Sequence, residues 1–341
     1  METITFTGHS LLRIFALAGA AFFVAMVWTP FFTDWLYKYR LGKNIRTDFG
    51  GEATPIFSNL HAKKAGTPTM GGILVWVTTA ALTLIFNLER SGTWLPLFVL
   101  VLTGIVGAVD DYMNVRRIGP SNGGMSFRYK FLLYSIIAIA GALWFYFKLD
   151  WNSIHIPRLG DFIIGFWYVP LFAGVLIFTA FAVNETDGLD GLAGGLLAIA
   201  YACYAIICLV AGKPVLAAFC GTIVGALLAF LWFNIYPARF FMGDTGAFAL
   251  GMTLAVIAFL TNSVVVLPII GLVFMIEAFS FIIQYVSKKF RKGKKVFLSS
   301  PIHHHFEALG WPETKITMRF WVIGAASGVI GLALALFGRG F

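Results

Sequence analysis

Charge is what this sequence has least of. Only 12% of its 341 residues are Asp, Glu, Lys or Arg, about half the ~25% of an ordinary soluble domain. A water-soluble fold of this length needs more polar surface, so that class is excluded. Cysteine is also scarce. Cys203, Cys208 and Cys220 lie inside apolar runs without a CxxC spacing, so no disulfide framework is implied. Neither a Walker loop nor a dinucleotide fingerprint occurs, and there is no internal repeat or soluble segment. The chain therefore reads as one integral membrane domain, residues 1–341. A cleavable signal is not expected. Glu2 sits in the polar lead-in, the apolar run from Leu11 to Phe32 is too long, and no small-residue cleavage pattern follows.

Apolar sequence is abundant, at 59% of the residues. A membrane-spanning helix needs roughly 17–25 apolar residues. That length rule predicts spans near 11–33, 70–88, 94–110, 130–148, 163–183, 190–211, 214–235, 245–261, 264–286 and 317–337. The expected fold is an all-α polytopic membrane protein with about ten transmembrane helices. The connecting segment 149–162 has the composition of a small hairpin, with His155 as a solvated loop residue.

Ten spans divide the loops into two sets. One holds Arg13, Arg90, Lys148, Arg158, Lys213 and Arg339; the other includes Lys38, Arg40, Lys43, Arg46, Lys63, Lys64, Arg116, Arg117, Arg128, Lys130 and the Lys288–Lys295 run. The second set is about threefold richer, which makes it cytoplasmic and places both termini on the outer, periplasmic side. The net charge of +9 follows from that topology and from anionic lipid headgroups, so no nucleic-acid partner is expected.

Once sorted by side, the polar motifs share the cytoplasmic face. Asp110-Asp111-Tyr112 ends the third span, Asn184-Glu-Thr-Asp187-Gly-Leu-Asp190 the fifth, and Asn234 the seventh. Phe241-Met-Gly-Asp244 opens the eighth, and Pro301-Ile-His-His-His305 lies in the last inner loop. Adjacent carboxylates at a helix C-terminus oppose its partial negative charge and call for a cation. Charged groups close to a bilayer are costly enough to favour a functional reading. Carboxylates without cysteine suit magnesium, which takes one or two protein oxygens and leaves the rest to water and phosphate. Lys64 and Lys130 are phosphate partners or simply positive-inside residues. Successive helical residues turn by about 100°, so His303, His304 and His305 cannot all face one metal. They form an interfacial loop, bind phosphate or act as acid or base. The Thr67–Gly72 run precedes a helix and could present N–H groups to an anion, whereas Gly188, Gly191, Gly194 and Gly195 suit close helix approach. Phe241 is either a stacking residue or, as one of 35 phenylalanines, a lipid-facing or core one, and Glu277, inside the ninth span, requires a partner.

These motifs, in this order, resemble the phospho-N-acetylmuramoyl-pentapeptide transferases over nearly the whole chain. They include Gly66-Thr-Pro-Thr-Met-Gly-Gly72, Thr186-Asp-Gly-Leu-Asp-Gly-Leu-Ala193 and Leu231-Trp-Phe-Asn234. The resemblance implies an enzyme of the bacterial cytoplasmic (inner) membrane, often a homodimer. It would join UDP-N-acetylmuramoyl-pentapeptide to undecaprenyl phosphate, giving lipid I and UMP with Mg2+. By motif, Asp244 becomes the direct magnesium ligand, with Asp110 and Asp111 completing the acidic site and Asp110 as base or nucleophile. Lys64, Lys130 and His303 would surround the diphosphate, with His304 and His305 beside it. Asn184, Asp187, Asp190, Asn234 and Phe241 would bind substrate on the nucleoside side. Departures from the family pattern are Asn114 in place of a lysine, for which Arg116 or Arg117 is the substitute, the loop 115–126, and Thr245 and Ala247. The rival readings are a sister transferase for UDP-N-acetylglucosamine and, from another class, a membrane transporter. A transporter would hold its binding groups near the bilayer midplane.

Overall fold

The computed structural model describes residues 8–42, 48–49, 52–53, 64, 66–90, 92–120 and 123–338. Glu2, Lys43, Arg46, Lys63 and Arg339 lie outside the described residues. The helices are α1 (Gly8–Lys38), α2 (Gly72–Phe86), α3 (Trp94–Val115), α4 (Phe127–Lys148), α5 (Tyr168–Thr186) and α6 (Leu192–Val210). They continue with α7 (Pro214–Asn234), α8 (Gly243–Leu260), α9 (Leu267–Ile270), α10 (Leu272–Phe290), α11 (Ile302–Ala308) and α12 (Glu313–Phe337). Two short hairpins, β1 (Asp48–Phe49) with β2 (Glu52–Ala53) and β3 (Ser153–Ile156) with β4 (Gly160–Ile163), are the only strands among the described residues.

Each predicted span coincides with helix, but the expected count of ten is modified at two places. Among the described residues, eight helices are long and apolar enough to cross a membrane, and a ninth span arises if the bent pair around Gly271 is taken as one. The second predicted segment, 70–88, is α2, whose 15 residues reach only about 22 Å, short of a ~30 Å hydrocarbon core. The ninth predicted segment reads as one span, yet the helices Val264–Ile270 and Leu272–Phe290 meet at 80°. Gly271 N–H bonds back to the Leu267 carbonyl and closes the first helix there.

The centre of the bundle is α8. Every residue from Ala249 to Leu260 is buried, as expected of a helix that is apolar all round. By contrast α1 exposes Leu12, Phe15, Phe23, Val27 and Phe31, an apolar face suited to lipid. Small residues bring the neighbours of α8 close to its first turn. A Cβ on Gly72 would lie 2.2 Å from Gly246 Cα, and one on Gly107 2.6 Å from Thr245 Cα. The N-terminus of α8 is thereby wedged between α2 and α3.

At the opposite end of the bundle from that N-terminus, β3 and β4 form the expected hairpin with His155 opposite Asp161. His155 is not merely solvated, contrary to expectation. Its Nδ1 lies 2.9 Å from Asp161 Oδ1 and its Nε2 3.3 Å from the Gly338 carbonyl, because the hairpin folds against the end of α12.

Candidate active site

The sequence posed an electrostatic problem: two adjacent aspartates at the C-terminal end of α3. The structure resolves it by directing them at the positive end of α8 and at a lysine. Asp111 Oδ1 accepts the Asp244 N–H at 3.2 Å, and its Oδ2 accepts the Thr245 N–H at 3.1 Å. Asp187 Oδ2 accepts the Gly243 N–H at 3.0 Å. Three N–H groups that α8 cannot satisfy internally are thus met by carboxylates, which its dipole also favours. Gly243 takes φ +75°, and a Cβ there would lie 2.5 Å from Asp111 Oδ2, so only glycine permits this cap.

Asp110 and Asp244 converge on Lys130. Its ammonium lies 2.5 Å from Asp110 Oδ2 and 2.7 Å from Asp244 Oδ2. Asp110 Oδ1 accepts the Met125 N–H at 2.6 Å, so the Gly-rich loop after α3 folds back over the pair. Asn184 Nδ2 donates to Asp244 Oδ1 at 2.9 Å. Two helix ends, those of α3 and α5, two helix starts, those of α4 and α8, and a loop therefore meet at one polar centre. Arg116 does not supply the missing lysine of position 114; its guanidinium packs over the Tyr112 ring at 5.6 Å. Thr245 bridges the scaffold, donating to the Gly104 carbonyl at 2.7 Å and accepting from Trp76 Nε1 at 3.0 Å.

A second cluster adjoins it. Lys64 Nζ is 2.7 Å from Asp190 Oδ1 and 2.5 Å from Glu313 Oε1, and sits 5.8 Å from the Phe241 ring centroid. Burial works against the charged amine, but the Glu313 and Asp190 carboxylates outweigh it and hold its pKa above the ordinary lysine value. Asp190 Oδ2 accepts the Ala238 N–H. Asn234 is buried with both ends of its amide engaged, Oδ1 by the Gly191 N–H and Nδ2 on the Phe240 carbonyl. It holds the two loops together instead of facing a ligand.

The histidine run divides as its angular spacing required. His303 Nδ1 pairs with Glu277 Oε2 at 2.9 Å, both side chains fully buried. That is the partner Glu277 needed. His304 Nδ1 lies 2.6 Å from Glu307 Oε2, and His305 Nδ1 accepts the Leu298 N–H at 3.2 Å. His303 Nε2 is buried without a hydrogen-bond partner and packs on Gly188, where a Cβ would come within 2.2 Å. Burial disfavours the imidazolium, but Glu277 foremost, then Glu307 and Glu185, raise its pKa above the usual histidine value.

The Thr67–Gly72 run does not offer its N–H groups to an anion. Gly71 and Gly72 donate to the Phe241 and Met242 carbonyls at 2.8 and 2.9 Å, and the Phe241 N–H returns to the Pro68 carbonyl at 2.8 Å. A Cβ on Gly71 would lie 2.4 Å from Phe240 Cδ2, so these glycines serve close backbone approach. Gly194 and Gly195 do the same against Phe230 and Trp321. Glu313 is the site residue that sequence reasoning missed. The available signal was a lone carboxylate at the start of the last apolar helix, which reads equally as a favourable first-turn acid.

Fold and site together define a polytopic membrane protein with a carboxylate–lysine centre at one end of its helix bundle. The comparisons with known proteins specify it further. The model for glycosyl transferase family 4 matches residues 93–262, and a phospho-N-acetylmuramoyl-pentapeptide-transferase signature matches residues 64–74. The chain is 38% identical to the phospho-N-acetylmuramoyl-pentapeptide-transferase of Chloroflexus aggregans, covering 96% of this chain and 91% of the relative. The enzyme of the same name from Geobacillus thermodenitrificans is 39% identical, covering 95% and 99%. The chain belongs to the phospho-N-acetylmuramoyl-pentapeptide-transferase family.

Proposed function

We propose that this protein transfers phospho-N-acetylmuramoyl-pentapeptide from its UDP donor to undecaprenyl phosphate, releasing UMP and forming lipid I at the cytoplasmic face of the bacterial inner membrane. The observation that carries this reading is the Asp110–Lys130–Asp244 centre at the N-terminus of α8, in a chain similar to named transferases along 96% of its length.

Lys130 and the positive end of α8 are suited to a diphosphate, whose transfer depends on positioning and on neutralising charge. An oxygen of the acceptor phosphate attacks the phosphorus attached to the sugar. One new P–O bond forms there, and the phosphoanhydride bond to UMP breaks. A phosphate monoester loses its second proton near pH ~6, so the acceptor is already a nucleophilic dianion at neutral pH. Direct attack therefore needs no phospho-aspartyl intermediate. Asp110 accepts a proton only from the minor monoanion. A phospho-enzyme trapped with the UDP donor alone would overturn this order of events.

A magnesium ion fits the donor set. Among the described residues no three His, Cys, Asp or Glu groups gather as a metal cage, but magnesium needs only one or two carboxylates beside phosphate and water. Asp244 and Asp110 would hold it, since each has an oxygen directed at a shared cation, Lys130. Asp111 is a weaker ligand candidate because both its oxygens cap α8. The ion would supply charge neutralisation at the diphosphate.

The test is reconstitution of the purified protein with undecaprenyl phosphate, magnesium and each UDP-sugar. UMP release and the lipid product would be measured. The muramoyl-pentapeptide donor should turn over; turnover of UDP-N-acetylglucosamine alone would reassign the substrate, and turnover of neither would remove the enzyme reading.

A further inference from the structure

We infer that Glu313 is a specificity-determining residue of the donor site, reading the nucleobase through the oxygen that its ion pair leaves open. The inference rests on the reading above, in which a uridine nucleotide binds beside Phe241.

Glu313 opens α12, 249 positions from Lys64 in sequence, yet the two side chains meet. Glu313 Oε1 accepts from Lys64 Nζ at 2.5 Å and from the Asp190 N–H at 2.6 Å. Among the described residues, all its hydrogen bonds fall on this one oxygen. The neighbouring Asp190 is differently placed: Lys64 takes Oδ1 and the Ala238 N–H takes Oδ2. Its side chain is only 3% exposed, against 10% for Glu313 and 17% for Lys64. The accessible acceptor of the cluster is thus Glu313 Oε2. Lys64 has three N–H donors, of which Asp190 and Glu313 engage two. Its ammonium stands beside the Phe241 ring, where a stacked base would present its polar edge.

An acceptor next to a donor, beside an aromatic face, matches an imide edge. Uracil presents an N3–H between two carbonyls, so the carboxylate accepts the N–H and the ammonium donates to a carbonyl. Cytosine presents a bare N3 lone pair at that position and would confront the carboxylate with like charge density. A site built to bond an N–H rejects an analogue lacking it far more strongly than a merely apolar pocket can.

The experiment compares UMP and CMP binding by calorimetry, with donor kinetics, for the full-length wild type, E313Q and E313D in detergent. Glutamine can rotate its amide to donate to cytosine N3, so E313Q should lower the UMP-over-CMP preference about tenfold or more. Its donor KM should rise by a larger factor than kcat falls. E313D keeps the charge but withdraws it by one methylene, and should give an intermediate ratio. An unchanged ratio in E313Q overturns the inference. Thermal melting reports whether E313Q folds; if it does not, E313D decides alone, an intermediate ratio supporting the inference and a wild-type ratio overturning it. Failure of the wild type to bind UMP at all would instead sink the donor reading on which the inference rests.

Discussion

Lys130 carries a disproportionate share of the site's electrostatics, since its ammonium pairs with both Asp110 and Asp244. Lys130→Met would leave those two carboxylates facing each other with no cation between them. Turnover should fall by at least ~100-fold, with a lower melting temperature, because removing one partner strands the other charges. Asp244→Asn should lose activity to a similar degree while remaining folded, since its backbone still caps onto Asp111; full activity in that variant would dismiss Asp244 from the reaction. Glu277 and His303 allow a test by pH. The His303 pKa is raised in the fold by Glu277, with Glu307 and Glu185 contributing. The pair's stabilisation is therefore complete below the ordinary histidine value, ~6.5, and is lost as pH rises through the raised one. Melting temperatures measured across that range should decline in the wild type and vary less in Glu277→Gln. Parallel curves would show that the pair is not charged.

Among the elements, what was legible depended on whether the signal was local. Span positions could be read because each needs about twenty apolar residues in a row, whatever it packs against. The 80° break at Gly271 could not, because Leu267 and Leu272 are equally apolar on either side. Asp111 and Thr245 were visible as residues but not as roles, for each acts on a partner far along the chain. The Asp110-Asp111 pair looked unfavourable at the end of α3 until α8 supplied the N–H groups opposite it. Glu313 was overlooked for the same reason, since its lysine is distant in sequence. Thr245 ties α8 to both α2 and α3 through one hydroxyl. Thr245→Val keeps the shape but removes that link and leaves the partly buried Trp76 N–H without its acceptor. A loss of about 1–3 kcal/mol in stability is expected, measured by denaturation in detergent. Activity should fall as well, since the same turn of α8 carries Asp244. A variant as stable and active as wild type would show that the small-residue packing at Gly72 and Gly107 fixes α8 unaided.

For the whole molecule, the distribution of basic residues and the distribution of chemistry converge from independent data. Lysine and arginine counts assigned the loops to two sides without reference to carboxylates or histidines, and the structure gathers those motifs at one end of the bundle. The β3–β4 hairpin caps the other end, where His155 faces Asp161. If the basic side is cytoplasmic, a cysteine placed at exposed Asp161 should react in intact cells with a membrane-impermeant maleimide. One at Lys292, in the exposed run after α10, should react only after permeabilisation. Native background should be low, because Cys203, Cys208 and Cys220 are all buried. Labelling in the reverse pattern would invert the topology and put the Asp110–Lys130–Asp244 centre on the outer face, away from the cytoplasmic nucleotide pool that the proposed donor requires.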